Sequence, residues 1–108
     1  MSYLKTFDDV AVQLGVKFPQ DLISFYVSGS ATKTSDVLVL YFPKKFRWLD
    51  NQAHEVQTNE QFLKIGEWNG QPLVLKLTEK QLSNDVYTVD SGEVSYWGTI
   101  SEVELEKK

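Results

Sequence analysis

The chain predicts an α+β domain in which two N-terminal helices pack against a mainly antiparallel sheet of about five or six strands. Three observations lead there. Apolar residues recur at three- and four-residue steps only in the first quarter of the chain, strand-type runs take over from Val37, and the later runs are separated by turns short enough for hairpins. The length of 108 residues suits one domain, taken as 1–108, and a chain this long buries roughly two-thirds of its unfolded surface. With 42% apolar residues, including three Trp, five Tyr and six Phe, a core can form without staples.

Tyr3, Leu4, Phe7, Val10, Ala11 and Leu14 make one helical stripe that ends at Gly15. Pro19 presets the backbone for a second helix. Asp21 complements that helix's positive end, and Leu22, Ile23, Phe25, Tyr26 and Val27 give it apolar surface before Gly29. Ser28 to Ser35 is small and polar and reads as a loop. Val37 to Phe42 is six apolar residues in a row, which predicts a central strand covered on both faces and halted by Pro43.

Phe46 to Leu49 then reads as a short strand or irregular edge segment, and Asp50 to Asn59 as a loop. Phe62, Leu63 and Ile65 precede Trp68-Asn69-Gly70-Gln71, and Leu73 to Leu77 follows with strand alternation. Asn-Gly supplies the positive φ angles of a tight hairpin. Val86 to Asp90 and Val94 to Trp97 form a second hairpin through Asp90-Ser91-Gly92-Glu93. Tyr96 and Trp97 fall on opposite faces of their strand, so one of them enters the core. After Ser101 the signals conflict: Ser101 and Glu104 have capping-box spacing, whereas Val103 and Leu105 alternate with glutamates as in a strand.

Charge is uneven. Residues 1–50 carry six Lys/Arg against five Asp/Glu, whereas 51–108 carry five against ten, within a total of −4. An acidic half repels phosphate backbones and steers basic partners toward it; it also serves simply as a solvated surface. The chain has no cysteine, which suits a reducing cytoplasm. It shows no apolar signal core and no run near the ~20 apolar residues needed to span a bilayer, so a soluble cytoplasmic protein is expected.

Catalytic patterns are missing from the sequence. His54 is the only histidine and has no metal-ligand spacing around it. No Gly-x-Ser-x-Gly turn exposes a nucleophile, and the six glycines form no phosphate-binding loop. Asp8-Asp9 lies on a helix and Glu102, Glu104 and Glu106 lie in the tail, neither of which suggests a cleft for acid–base chemistry. The expectation is a protein that is not an enzyme and takes neither cofactor nor metal. Lys44-Lys45-Phe46-Arg47-Trp48 interleaves cations with aromatics that could stack on bases, which makes weak nucleic-acid binding the rival reading. The acidic total and the common use of lysine to guard a sheet edge weigh against it.

The order of elements carries a resemblance. Leu14-Gly15-Val16-Lys17-Phe18-Pro19-Gln20-Asp21-Leu22 leads into Phe25-Tyr26. Phe62-Leu63-Lys64-Ile65-Gly66 and Gly70 then precede Leu73-Val74-Leu75, and Val86-Tyr87-Thr88-Val89-Asp90 follows. Over most of the chain this resembles the SUKH superfamily, with its proline-started second helix and its strand ending in an acidic residue. The chain departs from that pattern at Ser28-Gly29-Ser30, in place of an asparagine-glycine-glycine run, and in having no proline before Ile65.

The resemblance implies a binding module. Many members are bacterial immunity proteins that neutralise a secreted toxin, commonly a nuclease, and fungal members act in cell-wall regulation. A basic toxin domain is therefore the expected partner of a monomer or homodimer, and a regulatory or scaffold domain binding a cellular protein is the alternative. Glu55, Glu60, Glu67, Asp85, Asp90 and Glu93, in or beside loops and hairpins, are the expected partner-binding carboxylates. Trp68 beside the Asn69-Gly70 turn is either an exposed anchor or a side chain folded back over the sheet.

Overall fold

A computed structural model describes residues 3–28 and 38–100. The first helix, α1 (Tyr3–Leu14), buries Thr6, Phe7 and Val10. It stops at Gly15, which takes a left-handed φ of 70° while its N–H reaches the Ala11 carbonyl at 2.8 Å. The second, α2 (Gln20–Val27), starts after Pro19, whose extended backbone (φ −66°, ψ 143°) occupies the cap position. Its apolar side is Leu22, Phe25 and Tyr26, all buried.

Among the described residues the sheet has six strands: β1 (Leu38–Leu40), β2 (Arg47–Trp48), β3 (Phe62–Trp68), β4 (Gln71–Thr78), β5 (Gln81–Asp90) and β6 (Glu93–Thr99). Every strand pair is antiparallel, in the order β1-β3-β4-β5-β6. β2 lies along the same edge of β3 as β1: Leu40 faces Gly66, and Arg47 faces Lys64. β1 and β2 are thus two halves of one edge, separated by a 3-10 turn at Pro43–Lys45.

That arrangement corrects the expected central strand at Val37 to Phe42. Among its described residues Leu38–Leu40 form the strand, at the rim, and Val39 is 39% exposed. The apolar run has another cause, because its residues are consumed by the helices rather than by two flanking strands. Leu38 is fully buried, Tyr26 Oη donates to the Tyr41 carbonyl at 2.7 Å, and the Phe42 ring lies 5.7 Å from that of Tyr3. Gly66 is required at the join, since a Cβ there would collide with the Val39 carbonyl oxygen. The expected loop from Gly29 onward, Val37 and the ambiguous tail from Ser101 lie outside the described residues.

Both helices cover one face of the sheet. Phe7 is the hub of an aromatic cluster, with ring centroids 5.1 Å from Phe18, 5.2 Å from Tyr26 and 6.2 Å from Phe46. Beneath them Leu63, Ile65, Leu73, Leu75 and Val86 are buried from the sheet side. Burial pushes the Tyr26 phenol far above its ordinary range, so it remains a neutral donor to Tyr41.

Both expected hairpins are present. Asn69 and Gly70 adopt φ of 54° and 82°, and Ser91 and Gly92 adopt 49° and 86°. A third hairpin, between β4 and β5, has no glycine: Glu79 and Lys80 take φ of 50° and 68°. Tertiary contact holds that turn, because the Lys17 N–H donates to the Lys80 carbonyl at 2.7 Å and the Leu82 N–H to the Lys17 carbonyl at 3.0 Å. β5 accordingly begins five residues earlier than Val86, where the polar Gln81, Ser83, Asn84 and Asp85 hide it from a hydrophobic pattern.

Candidate functional site

The opposite face of the sheet has a thinner cover. Residues 49–61 leave β2, cross this face and return to β3. Asn51 ties the crossing together through its Nδ2, which donates to the Glu60 carbonyl at 2.8 Å and the Thr58 carbonyl at 3.3 Å. Val56 is pressed onto Phe62, Val74 and Val89, with Leu49, Tyr87 and Val94 around them. At its far end the crossing meets the β5–β6 turn so closely that a Cβ on Gly92 would stand 2.5 Å from the Glu55 carbonyl oxygen.

This contact assembles part of the expected site. Glu55 (itself left-handed, φ 61°) abuts the turn whose flanking residues Asp90 and Glu93 face each other in register. Three carboxylates from separate segments thereby share one end of the molecule, and all three are exposed. Asp90 Oδ1 accepts from Ser91 Oγ at 3.3 Å, and among the described residues none of the three forms an ion pair.

The other expected carboxylates go elsewhere. Glu60 pairs with Lys76 at 2.9 Å, a contact that raises the lysine pKa. The pair borders an open cleft of about 340 Å³ lined also by Val56, Phe62, Tyr87 and Val94. Glu67 accepts from Tyr41 Oη at 2.8 Å; burial first and this carboxylate second push the Tyr41 phenol up to about 12. Asp85 is exposed on β5, opposite Thr99.

Trp68 is not an exposed anchor. It is half-buried against the helix-side core, with its ring 6.0 Å from that of Trp97 in an edge-on contact, and its Nε1–H is buried with no acceptor among the described residues. Its place in register opposite Leu38 turns it to the covered side. Trp97 is likewise the inward member of its pair, and Tyr96 is the outward one at 59% exposed.

The rival basic segment loses its aromatics to the core. Phe46 is 3% exposed within the Phe7 cluster, and Trp48 packs against the same core, so neither ring is presented for stacking. Lys44, Lys45 and Arg47 remain exposed on the β1/β2 edge, in the position of edge guards. His54 sits half-buried in the crossing loop. Among the described residues no group of three or more His, Cys, Asp or Glu converges on a metal position, and no helix is long and apolar enough to cross a membrane.

The sequence marks Glu55, Asp90 and Glu93 only as three of six separate carboxylates; what it does not show is the docking of the crossing loop on Gly92 that makes them neighbours. A glycine at the second turn position gave no hint of this, since the turn alone accounts for it. Set against protein-family models, curated proteins and solved structures, the chain matches none.

Proposed function

We propose that this chain is a protein-binding module, an immunity protein that neutralises a basic bacterial toxin domain of the nuclease class by covering it sterically and electrostatically. The observation that carries this reading is the gathering of Glu55, Asp90 and Glu93 at one end of the sheet with no cation among the described residues paired to any of them. Exposed carboxylates held on a hairpin and a docked loop present negative charge in a fixed arrangement, which a surface built to bind phosphates complements. The described residues form the α+β fold class that the SUKH resemblance implies, two helices on a six-stranded antiparallel sheet.

Binding, not bond-breaking, is the work assigned to these groups. The three carboxylates are exposed to solvent rather than enclosed in a cavity, where a raised proton affinity and excluded water would favour catalysis. In the proposed complex they occupy the positions that nucleic-acid phosphates take on the toxin, so the toxin is inhibited by competition for its own substrate site.

The test is a nuclease assay with a basic toxin domain encoded beside the gene for this chain. Stoichiometric inhibition by the wild-type protein, weakened at least tenfold in Glu55→Lys/Asp90→Lys/Glu93→Lys and unchanged in Lys44→Glu/Lys45→Glu, supports the reading. Absence of inhibition, or its loss only in the second variant, overturns it.

A further inference from the structure

The loop face holds a second feature beside the gathered carboxylates. The open cleft of about 340 Å³ between the crossing loop and the sheet is lined by apolar Val56, Phe62 and Val94, by the half-buried Tyr87 ring and by Gly92. The Glu60–Lys76 pair, 2.9 Å apart, lines it too. Lys76 interacts with both Glu60 and the Tyr87 phenol, so carboxylate and ring share one part of the cleft. Gly92 sets the cleft against the turn at which Glu55, Asp90 and Glu93 meet. The described chain begins or breaks off at Tyr3, at the end of α2, at Leu38 and at Ile100, all on the helix side of the sheet, whereas the cleft lies on the loop side.

We propose that this cleft receives one arginine side chain of the basic partner, with the guanidinium stacked on the Tyr87 ring and hydrogen-bonded to the Glu60 carboxylate, and the methylene stem laid against Val56 and Val94. The inference rests on the protein-binding reading above and names the anchor that the partner contributes to that end of the molecule.

Size, charge and polarity each narrow the occupant. Clefts that enclose small molecules span ~300–1,000 Å³; this one is at the low end of that range and open to solvent, which suits a single side chain rather than a cofactor. Glu55, Glu60, Asp90 and Glu93 at the cleft and its Gly92 rim stand against Lys76 alone, and Lys76 is already paired, so an anion is repelled. A purely apolar anchor would strip water from the Glu60–Lys76 pair and return no hydrogen bond.

Between the two basic side chains the geometry favours arginine. A lysine ammonium is a compact, strongly hydrated point charge that would sit beside the Lys76 ammonium. A guanidinium spreads its charge over a plane, stacks on a tyrosine face and forks onto a carboxylate. Lys76 holds Glu60 through Oε1, which leaves Oε2 directed to an incoming donor. Val56, Phe62 and Val94 cover the stem, as apolar surface does for long cationic side chains.

The test uses the full chain and no toxin, so its outcome and that of the nuclease assay are independent. Titration with acetyl-arginine amide, followed by amide shifts in NMR, is expected to move Val56, Tyr87, Gly92 and Val94 saturably while α1 and α2 stay still, and acetyl-lysine amide to bind about tenfold more weakly. Glu60→Gln, at a half-exposed site, is expected to weaken the arginine probe about tenfold, and Tyr87→Leu, which keeps apolar bulk but removes the stack, about threefold, both with unchanged circular dichroism. Absence of saturable shifts at the cleft, equal binding of the lysine probe, or wild-type affinity in both variants overturns the proposal.

Discussion

The two faces of the sheet are covered by the same kind of apolar contact but to different depths. On the helix face, fourteen buried residues among those described, from both helices, four strands and adjoining segments, form one cluster; on the loop face, Val56, Phe62, Val74 and Val89 form a cluster of four. The first is organised by interlocking aromatic rings. The second depends on one valine brought in by a loop and held by a glycine contact and the Asn51 amide. The difference separates a deep face that sets the global free energy of folding from a shallow face where a segment can open locally at smaller cost.

Phe7→Ala should produce the largest effect, because it empties the hub of the ring cluster. A loss of about 3–5 kcal/mol is expected in urea denaturation, and a loss under 1 kcal/mol would show that the helix face is not the main store of stability. Gly92→Ala strikes the shallow face instead. Its left-handed φ and the Glu55 carbonyl in the way should cost about 1–3 kcal/mol, seen in denaturation, with faster amide exchange confined to residues 50–60.

A gain is expected at the β4–β5 turn. Glu79→Asn/Lys80→Gly places the favoured residue pair in a turn already left-handed at both positions and should stabilise by about 1 kcal/mol, raising the urea midpoint. A lower midpoint would mean that the lysine and glutamate side chains hold the turn, rather than the Lys17 backbone.

The smallest effect is alkaline. Tyr41 titrates in the folded chain at about 12 rather than at 10, so its protonated form is favoured by folding. The resulting stability is complete below pH 10 and lost as pH rises through 12. In Tyr41→Phe, denaturation midpoints should fall less steeply across that window than in the wild type; an identical slope would show that the phenol does not contribute.

The same contrast explains what the sequence could show. α1, α2 and the Asn69-Gly70 and Ser91-Gly92 hairpins were legible because their signals are local: a helical stripe, a proline, a turn dipeptide. The edge position of β1 was not legible, because burial by Tyr26 and Tyr3 writes the same apolar run that two flanking strands would. The start of β5 was hidden by its polar residues and by a turn whose left-handed residues are stabilised from Lys17, 63 residues before Lys80 in the chain. At the candidate site, position in or beside loops and hairpins marked six carboxylates, Glu55, Glu60, Glu67, Asp85, Asp90 and Glu93, while the convergence of Glu55, Asp90 and Glu93 required a loop crossing that has no sequence period. Trp68 was ambiguous until its register opposite Leu38 placed it on the helix side.

The most direct test of the central claim, that recognition resides at the carboxylate end of the shallow face, is amide hydrogen exchange of the chain with and without a basic nuclease toxin domain. The account predicts new protection over residues 50–60 and the Asp90–Glu93 turn, with α1 and α2 unchanged. Protection confined to the helices or to Lys44–Trp48 would contradict it and move the interface to the other side of the molecule.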